Sequence, residues 1–137
     1  MKRILVVILM FGTATALPLP VVADGFNASE PMLCAVLDTR ECTAETRECT
    51  SGGAEMINLP NFLRVDVNGK TISSQKGETQ RATPIDSTQD LSGNLILRGV
   101  QNDKTWQIVI SGQNGRMALT AGTPTASYIV FGSCINP

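Results

Sequence analysis

The sequence predicts an all-β fold, a single antiparallel meander forming a small barrel or sandwich, held by two disulfides. Three observations predict it. From Asn58 onward, apolar stretches of five to eight residues alternate with Gly, Asn, Asp and Ser turns. No segment carries the sustained 3.6-residue apolar period that a core-facing helix requires. Four cysteines occur in a chain that has no histidine, a combination that suits cross-links better than metal chemistry.

The N-terminus sets the expected compartment. Lys2 and Arg3 form a positive region, "ILVVILMFGTATAL" an apolar region and "PLPVVA" a short cleavage region with Val21 and Ala23 as its small residues. This is the pattern of a secretory signal peptide over 1–23, and it leaves residues 24–137 as one disulfide-stapled β domain, secreted or periplasmic. The apolar run falls short of the roughly 20 residues of a membrane span, so no span is expected after cleavage. Loss of Lys2 and Arg3 makes a chain of formal charge −1 more acidic still. That balance lacks the clustered Lys and Arg that nucleic acid or an anionic membrane surface would need. The aromatics left, Phe26, Phe62, Trp106, Tyr128 and Phe131, are few for a base-stacking platform.

Residues 24–33 read as irregular, with a helical turn at "SEPM" capped by Ser29. Beyond them, "CAVLDTRECTAETREC" places three cysteines, Cys34, Cys42 and Cys49, close together. Without histidine a zinc site would need all four cysteines, and the usual C-x2-C knuckle is absent. Four cysteines allow three pairings. In a helix, Cys42 and Cys49 would lie about 10 Å apart along the axis, beyond the roughly 7 Å a disulfide tolerates. The threonines at 43, 46 and 50 make the segment a poor helix in any case. A turn brings Cys42 to Cys49 and leaves Cys34 for Cys134, tying the start of the domain to its last strand.

The strands follow. "VDVNGKTI" reads as a hairpin with Asn68-Gly69 at its two-residue turn, both at positive φ. "QNGR" at 113–116 repeats the device, and "LSGNLILRGV" adds a turn at Ser92-Gly93. In "TWQIVI", alternation puts Trp106, Ile108 and Ile110 on the core face; Leu63, Val65 and Val67 do the same in "LRVDV". "ASYIVFGSC" makes the closing strand. Six or seven strands in sequential order favour neighbours pairing.

The motifs of chemistry are sparse, and the sequence predicts a protein that is not an enzyme, with no cofactor and no metal. No Ser-His-Asp or Cys-His set can form, and neither a G-x-S-x-G elbow nor a phosphate loop occurs. Lys70, Lys76 and Lys104 sit at turns or polar segments, where a solvated lysine is the default. Asp86 and Asp90 bracket a loop and are weighed as a glycosidase carboxylate pair against a solvated turn. "DVNG" at 66–69 lacks the remaining ligands of a calcium loop. "NAS" at 27–29 matches a glycosylation acceptor. Within "TAETRE", closed by Cys42 and Cys49, Arg47 is the expected anchor for an acidic group on a partner, with Glu45 and Glu48 setting charge complementarity.

The constellation "LCAVLDTREC", "NLPNFLRVDVNGKTI", the Trp106 strand with its following "NGR", and the closing "FGSC" resembles small exported bacterial proteins of uncharacterised function with a four-cysteine β domain. The resemblance covers most of residues 24–137. It implies an exported, disulfide-containing β domain and supplies no activity or site residue. In general style the domain is also similar to periplasmic lysozyme inhibitors, whose inhibitory motifs it lacks, so the similarity stops at the fold. Two function classes follow: a binding or inhibitory module directed at another exported protein through a rigid loop or a barrel mouth, and an envelope accessory protein with a small apolar-ligand pocket or a structural role.

Overall fold

Strand β1 (Met32–Thr43) changes its own phase halfway along. Met32 and Cys34 point into the core, a bulge falls between Val36 and Asp38, and the inward series resumes one residue out of step at Thr39. Leu37, the extra residue, is thrown outward and is 70% exposed. The computed structural model that shows this describes residues 27–75 and 80–137, so the predicted signal peptide and Lys76 lie outside the described residues. The helical turn expected at "SEPM" does not form. Residues 28–30 make a turn in which Glu30 N–H donates to the Asn27 carbonyl at 3.3 Å, and the chain is in β1 by Met32. Pro31 explains the difference, since it biases Glu30 away from helical backbone.

The remaining elements are β2 (Cys49–Gly52), a 3-10 turn at Ala54–Ile57, β3 (Phe62–Asp66), β4 (Thr71–Ser74), β5 (Ala82–Pro84), β6 (Ser87–Leu91), β7 (Asn94–Gln101), β8 (Lys104–Ser111), β9 (Arg116–Gly122) and β10 (Ala126–Ile135). They form one antiparallel sheet of ten strands in the order β5-β4-β3-β1-β10-β9-β8-β7-β6, with β2 as a spur on β1. Chain order is kept from β3 to β10, and β1 is inserted between the last strand and β3. The expected meander is therefore present, with its first strand paired to its last.

The outermost strands, β5 and β6, are separated only by Ile85 and Asp86. Ile85 N–H donates to the Lys70 carbonyl beside β4 and Asp86 N–H to the Arg98 carbonyl on β7, each at 2.9 Å. One bent segment thus serves both ends of the sheet, curling it into a half-barrel. The expected six or seven strands become ten because this segment is split and because β2 is a polar strand of four residues.

The inward faces carry the predicted side chains, joined by Leu97 and Val130. Val65, Leu97, Ile108, Ile110 and Val130 are fully buried, Trp106 is 8% exposed, and Val67 packs against the same cluster. Both disulfides join register partners on adjacent strands, Cys34 with Cys134 across β1 and β10, and Cys42 with Cys49 across β1 and β2.

Three turns test the hairpin reading. Ser92 and Gly93 both have positive φ, at 53° and 77°, and join β6 to β7 as expected. At β3–β4 the loop is four residues long, Val67–Lys70, and the positive φ falls on Lys70 at 50° instead of on Asn68 and Gly69. Asp66 Oδ1 accepts the Gly69 N–H at 2.7 Å, and this side-chain cap favours the longer turn. In "QNGR" only Gly115 is left-handed, and its carbonyl accepts the Cys134 N–H at 2.8 Å.

Alternating turns fall at opposite ends of the half-barrel. At one end hydrogen bonds tie neighbouring turns and termini together: Asn68 Nδ2 to the Ser29 carbonyl at 2.7 Å, Asn136 Nδ2 to the Asn27 carbonyl at 3.0 Å, and Gly112 N–H to the Gly93 carbonyl at 2.8 Å. The β1–β2 spur and the β7–β8 and β9–β10 turns lie at the other end.

Candidate functional site

A seam without a ladder runs between β5 and β7, since among the described residues β5 pairs with β4 alone. Gly99 occupies the inward position on β7 opposite Trp106 on β8, and a side chain there would run into the indole and, at 2.8 Å, into the Pro84 carbonyl. On β9, Ala121 is the other register partner of Trp106. Two small residues flanking the one tryptophan let the ring lie flat and leave space beside it.

That space is a cavity of about 330 Å³. Leu63, Ile72, Trp106, Ile108, Leu119 and Ala121 give it an apolar wall. Its rim is polar and carries Asn58, Arg81, Asn102 and Lys104. The Arg81 guanidinium donates through Nη1 to the Asn58 carbonyl, and its backbone N–H donates to Ser74 Oγ at 3.0 Å. These bonds fix Arg81 at the end of the loop that precedes β5. The Lys104 ammonium sits 4.9 Å from the centroid of the Tyr128 ring, in range of a cation–π contact.

Two polar atoms on lining residues, Trp106 Nε1 and Thr83 Oγ1, are buried with no hydrogen-bond partner among the described residues. An unsatisfied buried donor costs about 1–3 kcal/mol, so each of these atoms is a cost that the surrounding packing offsets. A third such atom, Thr39 Oγ1, lies at the first inward position after the β1 bulge and does not line the cavity.

The loop closed by Cys42 and Cys49 projects at the same end. Glu45, Arg47 and Glu48 are all exposed on it, and Arg47 has φ 57°. Ala44 N–H donates to the Thr125 carbonyl at 2.9 Å, which ties the loop to the β9–β10 turn. None of the three charged residues lines the cavity. Asp86 and Asp90 do not come together. They lie four residues apart along nearly extended chain, roughly 13 Å at strand spacing, beyond the span of about 5–9.5 Å of a glycosidase pair. The Asn27 amide oxygen accepts the backbone N–H and the hydroxyl of Ser29, at 3.0 and 2.6 Å, so "NAS" forms a local turn. Among the described residues no helix is long and apolar enough to cross a membrane.

Of the cavity residues, the sequence reading singled out Trp106, Ile108 and Leu63 as core and Lys104 as a turn lysine. It missed Arg81, Thr83, Ala121 and Tyr128. The available signal was small residues at inward positions of otherwise large-residue strands, Gly99 in "LILRGV" and Ala121 in "MALTAG".

Strands, seam and cavity together define a small disulfide-stapled antiparallel half-barrel with a cavity toward the end that carries the β7–β8 turn. No protein-family model matches the chain, and no curated protein matches it significantly.

Proposed function

We propose that this is an exported, non-enzymatic binding protein that takes a small, largely apolar ligand into the cavity of its half-barrel. The carrying observation is the 330 Å³ cavity with its apolar wall. Its volume falls at the lower end of the range of about 300–1,000 Å³ for small-molecule sites, and such sites favour the mouths of barrels. The two disulfides are compatible with an oxidising destination.

Titration with 1-octanol tests this reading. Methyl resonances of Ile72, Ile108 and Leu119 should shift saturably, and Ala121→Phe, which fills the space beside Trp106, should abolish the shifts. Cavity methyls that stay unmoved while outer-face methyls shift would overturn it.

A second reading keeps the Cys42–Cys49 loop as a contact surface for another exported protein. It is favoured by one observation, the anchoring of an exposed charged loop by the disulfide and by the Ala44–Thr125 hydrogen bond. A loop fixed in advance loses less entropy on binding. Capture of a protein partner by the wild type, and its loss in a folded Arg47→Ala, Glu48→Ala double variant, would support this reading. Unchanged capture would return the loop to a structural role.

A further inference from the structure

The geometry points to a small amphipathic anion as the ligand class, with a carboxylate held at the rim by Arg81 and Lys104 and an alkyl or aryl body against Ile72, Ile108 and Leu119. The inference rests on the cavity being a ligand site and adds the chemistry of the head group.

The chain has 12 acidic residues against 11 basic ones, yet the described residues around the cavity include two cations and no carboxylate. Among the described residues neither cation is in an ion pair, since the one ion pair there joins Arg40 to Asp38 at 3.4 Å. Arg81 is also held in place. A guanidinium has five N–H donors in a planar fork. The Asn58 carbonyl engages Nη1, and among the described residues no acceptor is bonded to Nε or Nη2, the edge a bidentate carboxylate would use. Lys104 adds a second positive charge at the same rim, on the β7–β8 side.

Size and wall set the rest of the ligand. At about 30 Å³ for each water-sized unit, the cavity accommodates roughly ten non-hydrogen atoms. An eight-carbon acid has ten. The apolar wall gives a free inorganic anion nothing to pack on, and the two cations disfavour an ammonium head. A neutral head would keep the apolar contacts and lose the ion pairs.

The test compares three probes of one chain length, octanoate, 1-octanol and octylammonium, titrated into the intact protein. Trp106 emission and its indole resonance provide the readout. Octanoate should bind about 2- to 30-fold tighter than octanol at low ionic strength, the range for two solvent-exposed ion pairs. The advantage should shrink as salt is added. In the Arg81→Gln, Lys104→Gln double variant the ratio of the two affinities should approach one. Arg81→Lys, which keeps the charge, should preserve most of it and guards against a simple loss of rim structure. Equal binding of octanoate and octanol to the wild type, or tighter binding of octylammonium, would overturn the anion inference and leave the cavity reading standing. Failure of all three probes to bind would overturn both.

Discussion

Gly99 and Trp106 are register partners on β7 and β8, and the indole lies where a side chain on residue 99 would be. The pair sets both the ring's orientation and the opening at the seam. Gly99→Ala should therefore cost about 1–3 kcal/mol, the usual range for overpacking. Urea denaturation gives the loss. Because Trp106 is the only tryptophan, a red shift of native emission would report its displacement directly.

Trp106 itself should behave differently toward two substitutions. Trp106→Ala removes a large buried side chain and should cost about 3–5 kcal/mol. Trp106→Phe gives up some area but also deletes a buried N–H that has no partner among the described residues, whose desolvation costs about 1–3 kcal/mol. The two effects oppose each other, so the phenylalanine variant should stay within about 1 kcal/mol of wild type in the same denaturation assay. A loss as large as that of the alanine variant would mean that the indole N–H has a partner in solution.

Thr39 offers a gain of stability. Its side chain is 0% exposed, and its hydroxyl has no partner among the described residues. Thr39→Val keeps the branched shape and removes the orphaned group. It should stabilise the fold by about 1 kcal/mol or more, read as a higher melting temperature. A destabilised valine variant would show that the hydroxyl is satisfied in solution.

The two disulfides should contribute unequally. Cys34 and Cys134 close a separation of 100 residues and Cys42 and Cys49 one of 7. The chain-entropy account assigns the first about 4.7 kcal/mol and the second about 2 kcal/mol. Paired alanine replacements compared by denaturant unfolding should keep that order. Cys34→Ala with Cys134→Ala also opens the core between the first and last strands, whereas Cys42→Ala with Cys49→Ala affects only an exposed spur.

What the sequence revealed and what it hid have separate causes. The Trp106 strand was legible because Trp106, Ile108 and Ile110 alternate without interruption along one side of the sheet. The disulfide pairing was legible because a seven-residue separation suits a turn and not a helix. Strand β1 was hidden by its bulge: inward residues run Met32, Cys34, Val36 and then Thr39, which breaks a period of two, and Asp38, Arg40 and Glu41 follow as charges. The closing segment at Ile85–Asp86 was hidden because its role depends on partners in two strands distant in the chain. The cavity was hidden for the same reason. Its wall draws on residues from Ile57 to Tyr128, and Lys104 looks like any turn lysine until the Tyr128 ring is placed under it and Arg81 on the same cavity.

The most direct measurement is an isotope-filtered NOE experiment on the labelled protein with unlabelled octanoate. The fold also exposes apolar side chains on its outer surface, Leu37 and Phe131 among them, where Asp38 pairs with Phe131 across β1 and β10. A hydrophobic probe therefore has an alternative place to go. The account predicts NOEs from the octanoate chain to the methyls of Ile72, Ile108 and Leu119, with the carbons next to the carboxylate nearest Lys104 and Arg81. NOEs to Leu37 and Phe131 with none to the cavity methyls would contradict it.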